Sequence, residues 1–237
     1  MCVVTYIPAA SGGFILTSNR DESIRRQAAI PPRRYLIDEQ LITFPKDPKA
    51  GGTWVATTEN RTLCLLNGAF QNHSHRPPYR RSRGLVVLDA FSYDSPHAFA
   101  RDYDFTGIEP FTLIMVDRVD AFATLHELRW DGTKPHFKCL PADTPRIWSS
   151  VTLYSEDIVR EREGWFQNWL TAPHTKLAAE IIAFHTSAGK GDPANDLLVD
   201  RGSLKTVSIT QIQAQHNEVS VFYQDFLHEG THHFQVS

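Results

Sequence analysis

Nothing constrains the folding of this chain more than its first twenty residues, which read as a β-hairpin. Cys2 to Ile7 alternates and is rich in β-branched residues, Pro8 to Gly13 carries turn chemistry, and Phe14 to Ser18 resumes a strand. A hairpin sets the start of its first strand beside the end of its second. Cys2 and the adjacent Arg20-Asp21 pair are therefore expected at the same end of two neighbouring strands.

Further strands are read at Leu41 to Phe44, Trp54 to Thr58 and Thr62 to Leu66, with Glu59-Asn60-Arg61 as the turn between the last two. Pro31-Pro32-Arg33-Arg34 is expected to interrupt any regular element. Leu85 to Phe91 supports a helix, and Ser95-Pro96 is a cap and first-turn pair for a second. Phe111 to Val116, Ala121 to Trp130 and His136 to Leu140 read as strands, with Asp131-Gly132 a turn. Ser155 opens a helix interrupted by Gly164, and Pro173 precedes another whose apolar face is Leu177, Ala178, Ile181, Ile182 and Phe184. Two final strands, Leu204 to Ile212 and Val219 to Phe226, flank a polar turn. Strands at both ends with helices between them predict antiparallel sheets packed with helices, an α+β fold. No repeat or low-complexity linker divides residues 1–237, so one domain is expected.

A hydrophobic content of 41% is ample for a packed core, and the formal charge of −3 gives no general attraction to nucleic acid or anionic lipid. Cys2, Cys64 and Cys139 are widely spaced, too few for a disulfide framework and without paired zinc spacing; a reducing compartment is the simpler inference. Cys64 and Cys139 are expected in strands, shielded from solvent. Thr5, Pro8 and Ser11-Gly12-Gly13 break up the N-terminal apolar stretch, and no run approaches the length of a membrane span. These features predict a cytoplasmic protein with no integral membrane segment, no nucleic-acid partner, no metal and no cofactor.

The chemistry concentrates around Cys2. Removal of Met1 would leave the α-amino group of Cys2 within reach of its own thiol, a nucleophile and a base in one residue. The amine titrates near about 7.7–8.0 and the thiol near about 8.5, and a neighbouring Arg favours thiolate. Taken alone, a small residue after Met1 is compatible with ordinary processing, and Arg20-Asp21 with a structural ion pair at a strand end. Asn67-Gly68 has two readings as well, an Asn contact beside a sharp turn or the turn alone.

Taken together, Met1-Cys2, Ser18-Asn19-Arg20-Asp21-Glu22, Gly51-Gly52-Thr53-Trp54, Leu66-Asn67-Gly68 and Arg83-Gly84 before a helix resemble the NRDE family, also called the transport and Golgi organisation protein 2 family. That family in turn resembles the N-terminal nucleophile hydrolases, especially the choloylglycine hydrolase and penicillin V acylase group. The resemblance implies a four-layered αββα sandwich. It also implies catalytic roles for Cys2 as nucleophile, Arg20 favouring thiolate, Asp21 holding the amine and Asn67 as oxyanion donor. Asn19, Trp54, Arg83, Ser150 and Lys205 are the matching candidates for substrate contact. Ser150 stands where an Asn is expected and Lys205 where an Arg is expected, so a degenerate or repurposed site is one reading.

The implied activity is hydrolysis of a linear amide or related acyl bond. The competing class is a non-catalytic protein binding or trafficking a small molecule, haem or lipid among them, as family members are associated with haem mobilisation and lipid metabolism. The run from His73 to Arg83 reads either as a solvated loop or as a guide for a carboxylate or phosphate. His228, His232 and His233 read as a polar tail rather than a metal frame, and Trp148, Trp165 and Trp169 as packing anchors.

Overall fold

The computed structural model describes residues 3–10, 12–119, 122–174, 177–216 and 218–237. The opening hairpin is present. β1 (Val3–Pro8) pairs antiparallel with β2 (Phe14–Ser23), Val3 opposite Asn19 and Pro8 opposite Phe14. They form the middle of a six-stranded antiparallel sheet with β10 (Arg146–Ser149), β11 (Leu204–Gln215), β12 (Glu218–Asp225) and β13 (Gly230–Gln235), in the order β10-β1-β2-β11-β12-β13.

A seven-stranded antiparallel sheet runs in sequence order from β3 to β9. Its strands are β3 (Ile30–Ile37), β4 (Gln40–Lys46), β5 (Val55–Thr57), β6 (Arg61–Asn67), β7 (Phe111–Val119), β8 (Phe122–Trp130) and β9 (Pro135–Leu140). Four α-helices among the described residues accompany them: α1 (Arg83–Asp89), α2 (Pro96–Asp102), α3 (Glu156–Leu170) and α4 (Leu177–Ser187). The expected caps are made. Ser95 Oγ accepts from the Ala98 N–H, and Ser155 Oγ accepts from the Ile158 N–H.

Strand alternation sorts the apolar residues into three layers. Val4, Tyr6, Leu16 and Ile212 of the first sheet meet Val55, Cys64, Leu66 and Ile114 of the second. On the far side of the first sheet, Val3, Ile7 and Ile15 pack on Phe166 of α3 and on Ile181 and Phe184 of α4. On the far side of the second, Phe44, Leu63 and Leu113 pack on Val86 and Val87 of α1 and Phe99 of α2. Both sheets are thus covered on both faces. That is why the central strands β2 and β7 are apolar or buried at nearly every position instead of alternating with exposed polar residues. No helix among the described residues is long and apolar enough to cross a membrane.

Three expectations need correction. Pro31-Pro32-Arg33-Arg34 lies within β3, not between elements. β3 is an edge strand, and the prolines fall where its register with β4 shifts between Ile30 and Arg33, so no ladder hydrogen bond is lost to them. Of the histidine tail, His232 and His233 lie in β13, an added edge strand whose Tyr223 to His232 and Phe222 to His233 registers extend the first sheet, while His228 precedes the strand and bonds Asp225. Gly164 does not interrupt α3, which runs through it. The three tryptophans do pack: Trp148 between the sheets, Trp165 and Trp169 against the helix-side core.

Candidate functional site

Where the two sheets part at one end of the inter-sheet layer, a polar cleft of about 390 Å³ opens. Arg20 and Glu22 enter it from β2, Asn67 from the end of β6, and Trp54 from the Gly51-Gly52-Thr53-Trp54 segment. Ser82, Arg83 and Gly84 at the start of α1, with His75, Tyr79 and Glu109, complete the wall. The Gly-Gly-Thr-Trp and Arg-Gly motifs are two halves of one joint. The Thr53 N–H donates to the Gly84 carbonyl at 3.0 Å, and a Cβ on Gly52 would sit 2.3 Å from the Gly84 carbonyl carbon. Only a residue without a side chain at 52 lets the chain segments meet there.

Asn67 is held by its backbone. Its carbonyl accepts from Ser150 Oγ at 2.8 Å, while Ser150 Oγ also bonds Thr152 Oγ1 at 3.0 Å. Gly68 then turns away with φ +79°, and a Cβ there would lie 2.6 Å from Val151 Cγ2. The residues after β10 are therefore packed directly against the Asn67-Gly68 turn. No hydrogen bond ties the Asn67 side-chain amide to any described residue, which leaves its donor available at the cleft. Ser150 is buried and absent from the cleft wall. It steadies Asn67 in place of facing a ligand.

Arg20 is 5% exposed; its guanidinium lies over the Trp54 ring at 4.3 Å and donates to Asp47 Oδ2 at 3.1 Å. Burial lowers the Arg20 pKa from its ordinary value, and the Glu22 and Asp47 charges oppose that shift. Asp47 accepts from Arg26 Nε at 2.7 Å and from the N–H groups of Lys49 and Ala50. For Asp47 burial acts upward, but the Ala50 N–H and the Arg26 and Arg20 guanidiniums outweigh it and hold the carboxyl below its ordinary value. The Trp54 Nε1–H is buried with no hydrogen-bond partner among the described residues, a second donor beside the cleft.

Arg83 also reaches the cleft, bound to Glu109 at 3.1 Å and to the Pro110 carbonyl at 3.3 Å. His73 and His75 share the same Glu109 oxygen at 3.2 and 3.1 Å, Arg81 pairs with Asp89, and Arg80 with Asp104. Burial pushes Glu109 upward, but Arg83 and the two histidine contacts prevail and its pKa is lowered. The basic run from His73 to Arg83 is thus largely neutralised by carboxylates from other parts of the chain. It forms a wall, not a free cationic funnel.

The other expected residues lie elsewhere. Asp21 is buried just behind the cleft, where Oδ1 accepts from Thr206 Oγ1 at 2.6 Å and Oδ2 from the Tyr154 hydroxyl at 2.8 Å. The Tyr154 ring in turn lies 3.6 Å from the guanidinium of the fully buried Arg162. Asn19, one position from Arg20, is on the opposite face of β2. Its Nδ2 donates to the carbonyls of His185 and Leu197 at 3.2 and 2.8 Å, and its Oδ1 meets His185 Nδ1 at 2.8 Å, so it fastens α4 to the sheet and touches no part of the cleft. Lys205 forms an ion pair with Asp200 at 2.8 Å, away from the cleft wall. Cys2 lies outside the described residues. Asp47, Glu109, Tyr154 and Thr206 escape sequence reading, because none carries a motif and all reach the site from distant segments.

Fold and cleft define an α+β protein of two stacked antiparallel sheets, with a polar recess in the size range of small-molecule sites. The chain belongs to the Transport and Golgi organisation 2 family, whose model matches residues 1–186. No curated protein matches it. The matched stretch ends within α4, so β11, which brings Thr206 to Asp21, lies beyond it.

Proposed function

We propose that this protein is an N-terminal nucleophile hydrolase of the cysteine type, acting on a linear amide or related acyl bond held in the cleft between Arg20, Trp54 and Asn67. The observation that carries the reading is the Asn67 amide, unspent on any described residue and set at the cleft with its backbone fixed by Ser150. The helix, sheet, sheet, helix order of the three apolar layers supports the same class.

In this reading Met1 is removed and the Cys2 thiol adds to the carbonyl carbon. Its α-amine takes the thiol proton and passes it to the leaving nitrogen as the C–N bond breaks. Water then cleaves the thioester. Asn67 donates to the oxyanion, Arg20 favours thiolate, and Asp21, oriented by Tyr154 and Thr206, holds the amine. Trp54 and Arg83 contact substrate. The near balance of Arg20, Arg26, Arg81 and Arg83 against Glu22, Asp47 and Glu109 suits a polar, uncharged acyl group better than a polyanion.

One observation favours binding without turnover. Ser150 and Lys205 are committed to Asn67 and Asp200, so neither adds a second donor to the cleft. A carrier of a small haem-like or lipid-like molecule would need only the recess. Intact mass and an acyl-amide panel separate the two. The hydrolase reading expects loss of Met1, turnover abolished by Cys2→Ala with affinity kept, and a drop of about 10²–10³ in kcat for Asn67→Ala. Turnover that survives Cys2→Ala sinks the mechanism; affinity with no turnover in the processed wild type selects the carrier.

A further inference from the structure

Away from the cleft, on the outer side of the second sheet, His97 of α2, His126 of β8 and Cys139 of β9 come together with their ligand atoms all within 4.8 Å of one another. We propose that these three residues bind a zinc(II) ion, leaving one coordination position for water or an exogenous donor.

The placement is built by the fold. His126 and Cys139 are direct cross-strand partners in the antiparallel β8–β9 pair, so both side chains leave the same face of the sheet. Phe137, two residues before Cys139, shares that face and is in ring contact with both histidines, at 5.3 Å to His126 and 4.7 Å to His97. Cys139 Sγ is 3.6 Å from His97 Nε2. Zinc bonds of about 2.0–2.1 Å to nitrogen and about 2.3 Å to sulfur in a tetrahedron put neighbouring ligand atoms roughly 3.4–3.6 Å apart. The existing pair meets that spacing already, and the wider separations close by rotation of the exposed His97 and Cys139 side chains.

One further observation points to an ion. His126 is 5% exposed, yet its Nδ1 has no hydrogen-bond partner among the described residues, which is uncommon for a buried ring nitrogen. The donor set narrows the metal to a soft or borderline transition ion. One thiolate with two imidazoles suits zinc and excludes calcium and magnesium, which require oxygen ligands. Cys139 was expected to be shielded in its strand; it is exposed, because β9 is the edge of the sheet. Linear spacing concealed the set, since the three residues come from three elements separated by turns. An ion here would clamp α2 to that edge.

The test uses the full chain, stripped with chelator and titrated with cobalt(II) as a spectroscopic probe, then with zinc. The expected result is one equivalent of cobalt with a thiolate-to-metal charge-transfer band, displaced by zinc. Zinc at about a hundredfold excess over its Kd should raise Tm by roughly 5–10 °C. Cys139→Ser should lose the charge-transfer band. His97→Ala, an exposed position that leaves the core intact, should weaken zinc binding by more than the roughly 10–100-fold cost of losing a ligand's supporting contact. Absence of the band in wild type, or an undiminished band and Tm shift in both variants, overturns the assignment; the latter would place the metal on other residues, the histidines of β13 included.

Discussion

Acid should destabilise this protein through His185 before its carboxylates titrate. His185 of α4 is fully buried, and burial, then the nearby Arg162 charge, pushes its pKa down to about 3. Its tautomer follows from its partners. Asn19 spends both Nδ2 hydrogens on the His185 and Leu197 carbonyls, so its Oδ1 must accept from His185 Nδ1–H, and His185 Nε2 is left to accept from Thr5 Oγ1 at 2.8 Å. The neutral ring satisfies all of them.

An unfolded histidine titrates near about 6.5. Below that value the unfolded chain takes up a proton the folded chain refuses, so stability is complete above about pH 6.5 and falls as pH drops toward about 3. Between pH 7 and pH 5 the loss from this one group is about 2 kcal/mol. His126 is lowered too and adds loss of the same sign, so wild type alone does not isolate the effect. His185→Gln does: the glutamine amide offers both a donor group and an acceptor but has no proton to gain. Urea unfolding at pH 7 and pH 5 should show the acid loss shrinking by about 2 kcal/mol in His185→Gln, whatever its absolute stability. Equal pH dependence in the two proteins would refute the account of a neutral, buried His185.

The joint at the cleft makes a steric prediction. Gly52→Ala forces a Cβ to 2.3 Å from the Gly84 carbonyl carbon and should cost about 1–3 kcal/mol or more, with a Tm fall of roughly 2–4 °C per kcal/mol, whereas Gly164→Ala in α3, with nothing within 4 Å, should raise Tm slightly in the same thermal scan. Thiol labelling of the folded, chelator-stripped protein, read by mass, should modify Cys139 and spare Cys64. Cys64 is fully buried between the sheets, and burial pushes its pKa up to about 12; rapid labelling of Cys64 would mean that the inter-sheet layer opens readily.

The strands were legible where period two met turn chemistry. The β1–β2 hairpin, the β5–β6 turn at Glu59 to Arg61 and both capped helices fall where the sequence places them. Edges were not legible: two prolines in β3 and a histidine-rich β13 look like loops until a neighbouring strand supplies their pairing. The site divides along the same line. Arg20, Trp54, Asn67 and Arg83 belong to short motifs and do reach one cleft. The Ser-Asn-Arg-Asp run, however, does not reveal which of its members faces which way. Adjacent strand residues point to opposite faces, so the same motif that delivers Arg20 to the cleft must send Asn19 to the helix layer, where it holds His185. What sets the phase is long-range pairing. Asp21 is oriented by Tyr154, 133 residues away, and by Thr206, 185 residues away, next to the register shift in the β2–β11 ladder. A bulge there re-aims one side chain relative to its neighbours. Residues with no motif of their own therefore determine what the motif can do, and a substitution at Thr206 should disturb Asp21 as directly as one within the motif itself.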